Sequence, residues 1–133
     1  MGGGFQTETV GTGGGGGGVV SGCGAGGGWL RLPGMEHHVY FWLKEERQNP
    51  GDREKFEAGL AGLFGISGVA GGRWSVPAAT EKRAVTDNSW DYALSMQFAS
   101  QAEHDAYQVD PDHDVFVAAF KGWWEKVLVM DLA

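Results

Sequence analysis

One stretch is dense in groups that move protons or hold metal ions: Tyr107-Gln-Val-Asp-Pro-Asp-His-Asp-Val-Phe116. A phenol and an imidazole six residues apart are the parts of an acid–base pair, the imidazole taking a proton near neutral pH while the phenol donates a hydrogen bond. The aspartates admit a different chemistry. Asp110, Asp112 and Asp114 open like a calcium loop, but its sixth and twelfth positions, which need glycine and glutamate, hold Val115 and Lys121. Asp110 before Pro111 is better explained as the cap and first residue of a helix, with Asp112 favourable in the positive first turn. A metal site is not expected: His37, His104 and His113 lack a ligand spacing such as HxxxH, and the single cysteine, Cys23, sits in a glycine-rich stretch. Serine-nucleophile chemistry has no GxSxG elbow to support it.

Helical spacing places His113 on one face with Phe116, Val117 and Phe120, so it should point inward beside Tyr107. The alternative is structural, an imidazole bonded to Tyr107 or to a carbonyl that fixes how two helices meet. His37, on one strand face with Val39 and Phe41, is placed to line the same pocket, whereas His38 faces the other way. His104 falls in a polar segment and is expected in solvent. Trp124 is expected to complete the apolar face of the last helix.

The elements that must position these groups follow from periodicity and capping. Residues 37–43 are aromatic and β-branched on both alternating faces, the pattern of a strand covered on two sides. Asn49-Pro50 starts a helix carrying Phe56, Leu60, Leu63 and Phe64, and Gly65 is its expected stop. A short strand is expected over Arg73 to Val76, a loop over Ala79 to Ser89, and a strand over Asp91 to Phe98, where Tyr92, Leu94, Met96 and Phe98 alternate with smaller or polar residues. Ser100-Gln-Ala-Glu103 is a capping box that opens the helix bearing Tyr107; Asp110-Pro111 opens another, and residues 127–132 form a last strand. Strand, helix, strand, strand, helix pair, strand is the split βαβ order of a ferredoxin-like α+β fold: a four-stranded antiparallel sheet with helices on one face. Because the strands are apolar on both faces, a second copy is expected to close sheet against sheet as a homodimer.

Composition bounds the rest. The chain has 133 residues and a net charge of -7, which argues against nucleic-acid and anionic-membrane partners, and no apolar run is long enough to span a bilayer. One cysteine excludes an intrachain disulfide and fits a reducing, cytoplasmic setting. Sixteen of the 24 glycines fall in residues 1–34, with no hydrophobic period to offset the entropy of ordering them. That segment is read as a disordered tail, an upstream extension or a mis-called start, with Met35 as the functional start and residues 35–133 as the folded domain. Its GTGGGGGG run satisfies GxGxxG by composition alone, with no flanking strand or helix.

The strand HHVYFWLK, the WDYALSMQF strand, the AYQVDPDHDVF segment and the closing WWEKVLVMDL together resemble the stress-responsive dimeric α/β barrel (Dabb) family, over nearly all of residues 35–133. The resemblance implies that fold and its dimer. It also implies a distant similarity to the olivetolic acid cyclase branch, in which a His and Tyr pair performs an aldol cyclisation without a cofactor. Carried over, that pair is His113 and Tyr107, with His37 as the strand histidine. Tyr92 stands where the cyclase has another histidine, and Asp110 stands where the family's His-Pro-x-His run begins. The expected function is binding of a small apolar or aromatic ligand near Tyr107 and His113, with His37, Phe41 and Tyr92 lining the pocket. Alternatives are a cofactor-free cyclase or isomerase, a cofactor-independent monooxygenase, and a non-catalytic stress or assembly protein.

Overall fold

In the computed structural model, which describes residues 34–133, the elements run β1 (Met35–Leu43), α1 (Pro50–Leu63), β2 (Val69–Ser75), β3 (Tyr92–Phe98), α2 (Gln101–Gln108), α3 (Pro111–Phe120) and β4 (Trp124–Leu132). The tail read over residues 1–34 lies, apart from Gly34, outside the described residues. Each helix starts at its sequence signal. The side chains of Asn49, Ser100 and Asp110 accept from the backbone N–H of Asp52, Glu103 and Asp112, satisfying donors that a helix start leaves unpaired.

The strands form one antiparallel sheet in the order β2-β3-β1-β4, the ferredoxin-like arrangement expected. Its inner face carries His37, Val39, Phe41 and Leu43 from β1 and Tyr92, Leu94, Met96 and Phe98 from β3, all buried. The helices cover that face with Phe56, Leu60 and Leu63 from α1, Tyr107 from α2 and Phe116 from α3. Phe56 is the hub, fully buried with ring centroids of Phe41, Tyr92 and Phe120 5.2, 5.3 and 5.2 Å away. Such aromatic pairs add about 0.5–1.5 kcal/mol each beyond the area they bury.

Three boundaries differ from expectation. Strand β2 starts at Val69, well before Arg73, because its glycines are strand residues with special backbone needs. Gly72 has φ +125°, and a Cβ there would collide with the Ser95 carbonyl oxygen of the neighbouring strand. Helix α1 ends at Leu63 with Phe64 as its cap, and the left-handed turn falls at Gly68 (φ +96°) instead of Gly65. Trp124 is not helical. A 3-10 turn over Lys121–Trp123 ends α3, and Trp124 opens β4 with its ring still packed on Phe41 at 5.4 Å.

On the outer face the loop between β2 and β3 reaches over β1: Trp90 packs edge-on to Tyr40 at 5.4 Å, and Trp42 Nε1 donates to Ser89 Oγ at 3.0 Å. Leu128, Met130 and Leu132 of the edge strand β4 stay exposed on that side. Among the described residues no helix is long and apolar enough to cross a membrane.

Candidate functional site

The helices do not extend over the inner face of β4, and a cavity of about 370 Å³ opens there between the sheet, α2 and α3. Its walls are mostly apolar, with Val39, Phe41, Leu94, Phe116 and Val129 among them. Its polar lining includes Gln108, Asp131 and a connected group of rings: His37 and His104 centroids lie 4.9 Å apart, His37 and Tyr107 6.0 Å, and Tyr107 and His113 4.8 Å. Local structure explains the convergence. Ser100 caps α2 so that His104 and Tyr107, three residues apart, share the face turned to the sheet. Asp110 caps α3 and sets His113 in its first turn, over Tyr107.

The pair singled out in the sequence is therefore assembled, but as an edge-to-face ring contact. His113 is half-buried and its Nδ1 has no hydrogen-bond partner, so it does not pin the two helices by a bond through that atom. His104 Nε2 and Trp124 Nε1 are likewise buried without a partner, and both residues line the same cavity. Native interiors leave few polar atoms unsatisfied, since each costs about 1–3 kcal/mol. Three such atoms lie around this one cavity.

Burial sets the protonation states. Desolvation lowers the His113 pKa from its ordinary 6.5, with Asp114 opposing. His37 is lowered the same way, against the hydrogen bond its Nδ1 makes to Asp131 Oδ1 at 2.6 Å. Burial pushes the Tyr107 phenol above its usual 10. At neutral pH the cavity thus presents neutral imidazoles, able to accept a proton, and a protonated phenol, able to donate a hydrogen bond.

His37 and Phe41 line the cavity, and Tyr92 is not among its lining residues. Tyr92 is opposite Phe41 in the sheet register, yet its ring is fully buried under α1, its hydroxyl donates to Glu57 Oε2 at 2.6 Å, and the Arg53 guanidinium lies 4.6 Å from the ring centroid. Strand alternation gives a residue's face, not which helix lies above it. His104 is also corrected. Its side chain is only 12% exposed and packs against the His37 ring at a tilt, while its charged neighbours Glu103 and Asp105 are the ones exposed. Asp131 was missed altogether. The register of β1 against β4 puts it opposite His37, a pairing that no local sequence signal carries.

The family model described as the stress-responsive A/B barrel domain matches residues 35–133. The chain belongs to the Dabb family. Solved structures agree with this assignment. A Dabb protein with a ferredoxin-like fold from Mesorhizobium loti is 28% identical, with TM-score 0.62, 75% of this chain covered and 96% of that one. An Arabidopsis thaliana protein is 23% identical with TM-score 0.64, covering 74% and 93%. A hydroxynitrile lyase from Passiflora edulis is 20% identical with TM-score 0.62, covering 74% and 91%. No curated protein matches the chain. The pattern of the Dabb fold accounts for the sheet and helices but leaves the cavity's chemistry to be argued from its own residues.

Proposed function

We propose that this Dabb protein binds a small, largely apolar or aromatic ligand bearing a carbonyl oxygen in the cavity beside Tyr107 and His113. The observation that carries the reading is the pair of unpartnered polar atoms on His113 and Trp124 beside a mostly apolar space. A volume of about 370 Å³ is at the small end of the ~300–1,000 Å³ usual for ligand pockets. Neutral His113 is suited to remove a proton next to the carbonyl, and the Tyr107 hydroxyl to donate a hydrogen bond to the enolate oxygen that forms. A cyclisation, isomerisation or lyase reaction follows from that step with side chains alone. The hydroxynitrile lyase from Passiflora edulis supports this only at the level of a shared scaffold.

The protein that does this is proposed to be a homodimer closed through the outer sheet face. Exposed Leu128, Met130 and Leu132 and a groove of about 310 Å³ bordered by Tyr40, Trp42 and Trp90 support that reading. So does a fold relative from Thermobifida fusca described as a dimeric ferredoxin-like protein, 17% identical with TM-score 0.61.

The test is a calorimetric screen of small aromatic ketones, aldehydes and acids against the wild type and Val129→Trp, which fills the cavity from the exposed strand. Binding that Val129→Trp abolishes is expected. A hit that binds both proteins equally would place the ligand elsewhere.

A further inference from the structure

We propose that His37, His104 and Asp131 form a binding site for one divalent transition-metal ion, of which Zn²⁺ is the probe. Each residue comes from a different element: His37 from the start of β1, His104 from α2 and Asp131 from β4. One ligand atom from each lies within 4.8 Å of the others. Two imidazoles and a carboxylate are borderline donors of the kind zinc and its first-row neighbours take.

His104 Nδ1 is 3.0 Å from Asp105 Oδ1, and a carboxylate accepts, so the ring's hydrogen belongs on Nδ1. Nε2 is then a bare lone pair. It is buried, has no hydrogen-bond partner, and faces Asp131 Oδ1 at 3.9 Å. Two acceptors turned towards each other are repulsive unless a positive charge lies between them. Asp105 behind His104 also reproduces the carboxylate–histidine–metal relay that orients ligand histidines.

The distances are within reach of coordination. Bonds of about 2.1 Å at tetrahedral angles set ligand atoms about 3.4 Å apart. The His37 Nδ1 to Asp131 Oδ1 contact is 2.6 Å and the His104 Nε2 to Asp131 contact 3.9 Å, so one opens and the other closes by less than ~1 Å. Asp131 can supply that movement, since its side chain is 43% exposed on the edge strand. Ligation through His37 Nδ1 requires the ring hydrogen now donated to Asp131 to move to Nε2, the neutral imidazole changing tautomer with no net proton release. All three ligands and Tyr107 line the cavity, so the fourth position faces that space and accepts water or a ligand oxygen.

The experiment is a competition titration of Zn²⁺ against a chromophoric chelator, using the full chain with Cys23→Ser and no organic ligand. Metal binding therefore stands or falls apart from the proton-transfer reading. One Zn²⁺ per chain is expected. His104→Ala and Asp131→Asn should each weaken it more than Asp105→Asn, whose loss should be about 10–100-fold. His38→Ala, on the outer face and paired with Glu36 at 2.9 Å, should leave it unchanged. Co²⁺ should give a visible absorption band that Asp131→Asn removes; because Asp131 is exposed at an edge, this variant keeps the test valid should His104→Ala fail to fold. Absence of stoichiometric Zn²⁺, or a site that survives Asp131→Asn and His104→Ala, overturns the proposal.

Discussion

Replacing His113 with phenylalanine should make the protein more stable, and the size of the effect separates a functional imidazole from a structural one. The ring sits in the first turn of α3, edge-on to Tyr107 with centroids 4.8 Å apart, and its Nδ1 is buried without a partner. Phenylalanine keeps a ring of similar shape for the Tyr107 contact and has nearly the same helix propensity. What changes is the unsatisfied nitrogen, whose burial costs about 1–3 kcal/mol; the residue is only half-buried, so the lower end, about 1 kcal/mol, applies. For a domain of this size that is roughly 4–8 °C in Tm. Urea unfolding at pH 7.5 gives the measurement, with Phe116→Ala as the reference for a packing residue. Phe116 touches Phe41, Phe56, Phe120 and Trp124, and its loss should cost about 3–5 kcal/mol. Stabilisation with loss of ligand binding is the signature of a group kept for chemistry. Destabilisation of His113→Phe by more than about 1 kcal/mol would refute the reasoning, because the imidazole would then be holding the helices together.

The same histidine carries a pH dependence. Its folded pKa lies below 6.5, so the folded chain binds fewer protons than the unfolded one; its stability contribution is complete above pH 6.5 and declines as pH falls towards the folded pKa. A histidine-selective NMR titration should find a midpoint below 6.5, and one at or above that value contradicts the burial argument. Gly72→Ala should cost more than ~1 kcal/mol in a urea titration, from positive φ and the collision with Ser95; unchanged stability would mean that β2 adapts its register. Met130→Asp, on the exposed outer face of β4, should convert a dimer to monomer by light scattering, and a wild type already monomeric at micromolar concentration removes the dimer.

Much of this architecture was legible because its signals are local. Caps at Asn49, Ser100 and Asp110, prolines just inside two helices, and alternation along β1 and β3 each concern neighbours in sequence. His113 and Tyr107 were legible for the same reason, as spacing and cap fix the faces of two adjoining helices. The rest depends on register and on what lies above each face. Tyr92 and Phe41 share a face and a sheet row, yet α1 covers the first and the cavity takes the second. The GVAGG run has the composition of a turn, but in β2 Gly72 is where two backbones approach too closely for a side chain. His104 and Asp131 meet only because β4 returns along β1, so no ligand spacing could announce them.

The most direct test of the central claim is a histidine- and tyrosine-resolved NMR spectrum recorded while a screened carbonyl ligand is added to saturation. His113 and Tyr107 should shift with the binding isotherm while His38, on the opposite face, stays fixed. Shifts confined to His38 and Tyr40 on the outer face, or none at His113, would contradict a ligand in the inner cavity.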